Sequence, residues 1–121
     1  MSTNTDSILN SVKRIVGVSV DDDSFDDELV MHINTVFMTL QQIGVVDNKW
    51  ITIDSSYDSW DDFLSDDMAP AIKTYMGLKV RSIFDPPTSS AVKDALNANL
   101  QELEWRLYIL ADNRKAGGTT L

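Results

Sequence analysis

Apolar residues recur at helical spacing in four stretches of the chain. Ile8, Leu9, Val12, Ile15 and Val16 form the first, with Asp6 or Ser7 placed as N-cap and Gly17 as the stop. The second stripe is Leu29, Ile33, Val36, Phe37, Leu40 and Ile43, ended by Gly44. Ser24 is placed to cap it with Asp27 three residues on, and Asp26, Asp27 and Glu28 load its first turn with the charge the macrodipole favours. Residues 45–66 then break the period. Trp50–Ile53 alternates like a short strand, Asp54–Ser59 is turn chemistry, and Ser59 can cap a brief turn through Trp60, Phe63 and Leu64. A third stripe, Met68, Ile72, Tyr75, Met76, Val80 and Ile83, begins at Asp66 or Asp67 with Pro70 tolerated in the first turn. It runs to about Phe84, because Asp85 precedes Pro86-Pro87 and is pushed out of the α region. Thr88-Ser89-Ser90 offers the next cap, and Ala91 to about Asp112 keeps the 3.6 period for roughly 22 residues, or roughly 33 Å. From Arg114 to Leu121 no pattern remains. The expected fold is all-α: a small bundle of four main helices, a long loop between the second and third, and two long C-terminal helices hinged at Asp85-Pro86-Pro87. One domain is expected over 1–112 and a flexible tail over 113–121.

The fourth helix is apolar along two edges. At about 100° per residue from Val92, the residues Val92, Leu96, Leu100, Leu103, Leu107 and Leu110 fall within about 80° of one another, a single core stripe. Ala91, Ala98, Trp105 and Ile109 fall nearly opposite, between about 220° and 260°. Met31 and Met38 make a similar second line on helix two. A domain of this size has little room for a fully internal helix, so Trp105 either covers a neighbouring helix of its own subunit or anchors a contact between subunits.

Composition sharpens this picture. With 121 residues the chain is expected to form one domain, too small for separate substrate and cofactor modules. It has no cysteine, so disulfides, thiolate metal sites and cysteine nucleophiles are excluded. Its longest apolar runs fall far short of a membrane span, the N-terminus lacks the features of a secretion signal, and a soluble protein is expected. The formal charge is −9, with 14 acids against 3 bases in residues 1–67 and 5 against 7 in residues 68–121. That balance argues against a protein that grips DNA through a basic stripe and permits one that keeps DNA at a distance.

Candidate chemistry is sparse. His32, the sole histidine, lies one turn after Glu28, and no further ligand at helical spacing completes a metal set. Asp21-Asp22-Asp23 opens like a calcium loop, but that frame puts Asp26 at the glycine position and His32 at the bidentate glutamate position. Asp61-Asp62 and Asp66-Asp67 could imitate a glycosidase pair, although cap and loop roles are far commoner for such acids. No cofactor and no enzymatic activity are expected.

The run Leu78–Ser90, holding Ser-Ile-Phe-Asp-Pro-Pro-Thr-Ser-Ser, followed by Leu100-Gln-Glu-Leu-Glu-Trp-Arg-Leu107, resembles the signature of tailed-phage head-tail connector proteins, also called adaptor or head-completion proteins. The resemblance extends over roughly residues 7–112 and includes the aromatic loop segment Trp60-Asp-Asp-Phe-Leu; Ser82 departs from it, where a bulkier apolar residue is expected. It implies a structural virion protein forming a homo-oligomeric ring, commonly dodecameric, docked beneath the portal protein in the head-tail neck and assembled in the host cytoplasm. Such a ring extends the DNA channel toward a stopper or tail-completion protein, and double-stranded DNA passes through without specific binding. On this reading Met31, Met38, Ala91, Ala98, Trp105 and Ile109 are subunit-interface candidates, and Asp54, Asp58, Asp61 and Asp62 are channel-lining candidates. Arg114, Lys115 and Leu121 are candidates for portal binding. The alternative reading is an acidic DNA mimic that occupies a nucleic-acid-binding enzyme.

Overall fold

The computed structural model describes residues 7–45, 53, 58–60 and 69–120. Four helices follow in order: α1 (Ile8–Val16), α2 (Asp26–Ile43), α3 (Ala69–Phe84) and α4 (Ser90–Thr120). The chain is all-α. α3 packs against α1, α2 and α4, and α2 also touches α1 and α4.

Helix boundaries follow local chemistry. The Ser7 hydroxyl accepts from the Asn10 amide at 3.2 Å, capping α1, and Gly17 takes the left-handed conformation at φ 87° that ends it. Gly44 ends α2 in the same way at φ 94°. The start of α2 corrects the expected Ser24 cap. Phe25 is the N-cap residue and offers no side-chain bond. The Asp22 carboxylate instead accepts the Ser24 amide at 2.9 Å, closing a turn ahead of the helix. These bonds to Ser24 hold the Asp22 carboxyl below its ordinary pKa. α3 ends at Phe84 as expected, and the Ser89 hydroxyl accepts from the Val92 amide at 3.4 Å to begin α4. The α4 backbone continues to Thr120, eight residues beyond the end expected near Asp112. The apolar period is lost there, but residues 113–116 contain nothing that breaks a helix. Ser82, partly buried, turns its hydroxyl onto the Lys79 carbonyl at 2.6 Å, satisfying it within α3.

The core joins Ile8, Leu9 and Val12 of α1, Leu29, Ile33, Val36, Phe37 and Leu40 of α2, Ile72, Tyr75, Met76 and Val80 of α3, and Leu100, Leu107 and Ala111 of α4. α1 and α3 approach closely because Gly77 has no side chain: a Cβ there would land on Ile15 Cδ1. Lys13 is 2% exposed, with its Nζ 2.6 Å from Asp26 Oδ1 and donating to the Val20 carbonyl at 3.2 Å. One buried cation thus ties α1 to the turn that leads into α2.

Anchors of the loop between α2 and α3 are well defined where it is described. The Asn34 side chain donates to the Ile53 carbonyl at 3.0 Å and accepts its amide at 2.7 Å, as a neighbouring strand would. The Ile8 amide donates to the Asp58 carbonyl at 3.0 Å, and Ser7 and Ser59 form an isolated antiparallel bridge. Trp60, 1% exposed, donates to the Ser11 hydroxyl at 3.2 Å and lies under Lys73 Nζ, 5.8 Å from the ring centroid. The described residues contain no strand. Of the expected strand Trp50–Ile53 only Ile53 is described, and the expected positions of Phe63, Leu64, Asp66, Asp67 and Met68 lie outside the described residues.

Candidate assembly surface

α4 is 31 residues long, and among its described side chains, which end at Asn113, the buried ones fall between Leu100 and Ala111, about 17 Å of a helix of about 46 Å. From Ser90 to Asn99 every residue is exposed except Leu96, which is half-buried. An isolated helical segment of that length is marginal in water, and helices in proteins draw most of their stability from packing an amphipathic face. The exposed part of α4 is therefore a surface that gains from a partner.

The rotational setting of α4 differs from the expected one in an informative way. Leu100, Leu107 and Ala111 are buried and Leu96 and Leu103 half-buried, but Val92 is 54% and Leu110 44% exposed. The inward line is thus turned toward Glu104 and Ala111, away from Val92 and Leu110. The cause lies on α3: the buried Tyr75 hydroxyl donates to Glu104 Oε2 at 2.7 Å, and Lys79 Nζ stands 3.7 Å from the same oxygen. Burial, with the Glu104 hydrogen bond and charge adding to it, raises the Tyr75 pKa well above its ordinary value.

The opposite edge of α4 faces outward. Trp105 is 62% exposed, Ala91 and Ala98 are exposed, and Ile109 is half-buried. Most of the Trp105 ring lies outside its own subunit, and it stacks on Tyr108 of the next turn at 5.9 Å between centroids. Tyr108, missing from the set expected from sequence, is itself 47% exposed. Its position three residues after Trp105 on the same helix was the available signal. An open, largely apolar groove of 350 Å³ runs from this edge to the core edge, lined by Ala71 of α3 and by Leu103, Trp105, Leu107, Ile109 and Leu110 of α4, with Arg106 on its rim. Arg106 holds Glu102 at 2.6 Å, an exposed pair on the same helix.

Met31 and Met38 of α2 are 60% and 43% exposed, seven residues apart on the side away from Leu29, Ile33 and Leu40. Of the acids expected in the loop, Asp58 is half-buried and its carbonyl is engaged by Ile8, while Asp54, Asp61 and Asp62 lie outside the described residues. Arg114 and Lys115 lie on α4, where only the backbone is described, and Leu121 lies outside the described residues. His32 and Glu28 approach at 3.4 Å on one face of α2. Among the described residues no group of three or more His, Asp or Glu side chains is arranged to hold a metal ion, and no helix is long and apolar enough to cross a membrane.

The arrangement suits protein association. It offers a long amphipathic rod with an aromatic pair, small residues beside it and a groove alongside. Comparison with known proteins gave one family: the model described as phage connector protein matches residues 8–114. No match was found among curated proteins or among solved structures.

Proposed function

Because the chain belongs to the phage connector family and so has a structural connector role in a phage particle, we propose that it is the adaptor subunit of a ring, commonly of twelve copies, docked beneath the portal. The ring lengthens the DNA channel and joins the head to a stopper or tail protein. The observation that carries this reading is the outward edge of α4, with Trp105 62% exposed on a helix whose first ten residues, Ser90 to Asn99, are exposed apart from the half-buried Leu96. A ring repeats one heterologous contact, so each subunit needs two different adhesive surfaces. The Ala91, Ala98, Trp105 and Ile109 edge of α4 supplies one, and the Met31 and Met38 line of α2 is a further contact surface.

Charge gives the channel its character. Twelve copies at −9 each carry −108. Where that acid lines the lumen, phosphates within about 8 Å at physiological salt are repelled and DNA moves without sticking. Asp54, Asp58, Asp61 and Asp62 are the acids proposed to approach the lumen, and Arg114, Lys115 and Leu121 the residues proposed to reach the portal. A ring structure with all four acids facing outward would defeat the channel assignment.

The test is direct. The purified chain is mixed with the cognate portal and viewed by negative-stain microscopy. A stoichiometric ring stacked on the portal is expected. A chain that ignores the portal and instead binds a basic nucleic-acid enzyme in a strongly salt-dependent way would overturn the reading in favour of a DNA mimic.

A further inference from the structure

Opposite flanks of the subunit match in charge. α3 presents Tyr75 and Lys79 to Glu104 of α4, and Gly77 to Ile15 of α1. Tyr75 and Gly77 are two residues apart, which on a helix of 3.6 residues per turn sets them roughly 160° apart. α1 and α4 therefore cover opposite sides of α3, and they share no more than a marginal contact of their own. Their outward sides point away from each other, the disposition that a head-to-tail contact around a ring requires.

On the α1 flank Arg14 is exposed beside Ile15, which is 40% exposed, and Arg81 is exposed one turn beyond Gly77. Neither guanidinium has an ion-pair partner among the described residues. On the α4 flank Asp94, Trp105 and Asp112 fall on one line, because their spacings of eleven and seven residues are close to three and two whole turns. Both carboxylates are exposed and likewise unpaired among the described residues. An apolar spot flanked by two unpaired cations thus faces one way, and an indole flanked by two unpaired anions faces the other.

We infer that the outward edge of α4 docks on the α1/α3 flank of a second copy of this chain, Asp94 and Asp112 pairing with Arg14 and Arg81 around Trp105 seated at Ile15. This inference rests on the ring reading and names the surface that receives α4. Complementary charge across a contact fixes its register and rejects like-charged surfaces. Met31 and Met38, on a third side, then serve a contact other than this one.

Charge reversal in two versions of the full chain tests it. One carries Arg14→Glu with Arg81→Glu, so both of its flanks are acidic; the other carries Asp94→Lys with Asp112→Lys, so both are basic. Neither should form rings on the portal alone, each needing at least about tenfold more protein than the unmodified chain. Mixed in equal amounts they should assemble by alternating, since each then meets its opposite. Unchanged melting temperatures show that each version is folded; if the first is not, Arg14→Glu alone, mixed with the Asp94→Lys, Asp112→Lys version, replaces it. Assembly of either version alone at the unmodified concentration, or failure of the folded mixture where the unmodified chain succeeds, overturns the inference and leaves the ring reading intact. Failure of the unmodified chain to form any ring overturns both.

Discussion

Replacing Gly77 by alanine sets two opposed effects against each other, and the packing of α1 on α3 decides the sign. Within a helix, alanine is favoured over glycine by about 1 kcal/mol. The added Cβ, however, would collide with Ile15 Cδ1 and stand 3.0 Å from its Cγ2 and 3.2 Å from its Cγ1. Ile15 is 40% exposed, so Cδ1 can swing toward solvent. Cγ1 and Cγ2 cannot both leave, because they branch from one carbon and an isoleucine in a helix has one strongly preferred χ1. Relief then requires a strained rotamer or a shift of α1 against α3, a cost of about 1–3 kcal/mol. The net expectation for Gly77→Ala is a loss of about 1 kcal/mol, which lowers the melting temperature of a domain this size by about 3–6 °C. Urea and thermal unfolding followed by circular dichroism measure it. In an Ile15→Ala background the obstructing atoms are gone, and the same substitution should become stabilising by up to about 1 kcal/mol. Stabilisation in the unmodified background, or an equal loss in both, would refute the reasoning.

Three further outcomes are expected. Tyr75→Phe should cost about 1 kcal/mol at neutral pH through the lost bond to Glu104. The raised Tyr75 pKa means the folded state holds this proton more tightly than the unfolded chain, so stability is intact below about pH 10 and declines above it; alkaline titration of the melting temperature should show that decline shrinking in the variant. Asn34→Ala, by leaving the Ile53 amide without its partner, should cost about 1–3 kcal/mol and speed hydrogen exchange at Ile53, and unchanged protection there would contradict the anchoring role. Trp105→Ala should weaken assembly more than folding, because most of the indole is exposed in the single subunit; sedimentation showing intact assembly beside a lowered melting temperature would count against the outward edge as an interface.

Much of the local structure was legible without coordinates. The stripes of α1, α2 and α3 lie on helices where the periodicity puts them and are buried or half-buried except for Ile15 and Ile83, 40% and 44% exposed, and Met68, which lies outside the described residues; Gly17 and Gly44 end their helices in left-handed conformations. Asp85-Pro86-Pro87 ends α3, since a residue before proline resists the α region wherever it occurs. The candidate surface was half legible: a second apolar line on α4 follows from spacing alone, and its Trp105 proved exposed. The cap of α2 was not legible in the spacing, because a serine there competes with turns and Asp22 draws the Ser24 amide into one.

Sequence by itself determined what depends on neighbours along the chain: helix periods, glycine and proline stops, acid-loaded first turns and the absence of cysteine chemistry. Tertiary structure alone decided which edge of each helix is buried. Val92 and Leu110 lie outside, while Glu104 faces the Tyr75 hydroxyl and Lys13 is buried against Asp26. Periodicity fixes the angles between residues on a helix but not the rotation of that helix against its partners. That rotation is set by long-range contacts such as Tyr75 with Glu104 and Gly77 with Ile15, whose members are 29 and 62 residues apart in the chain.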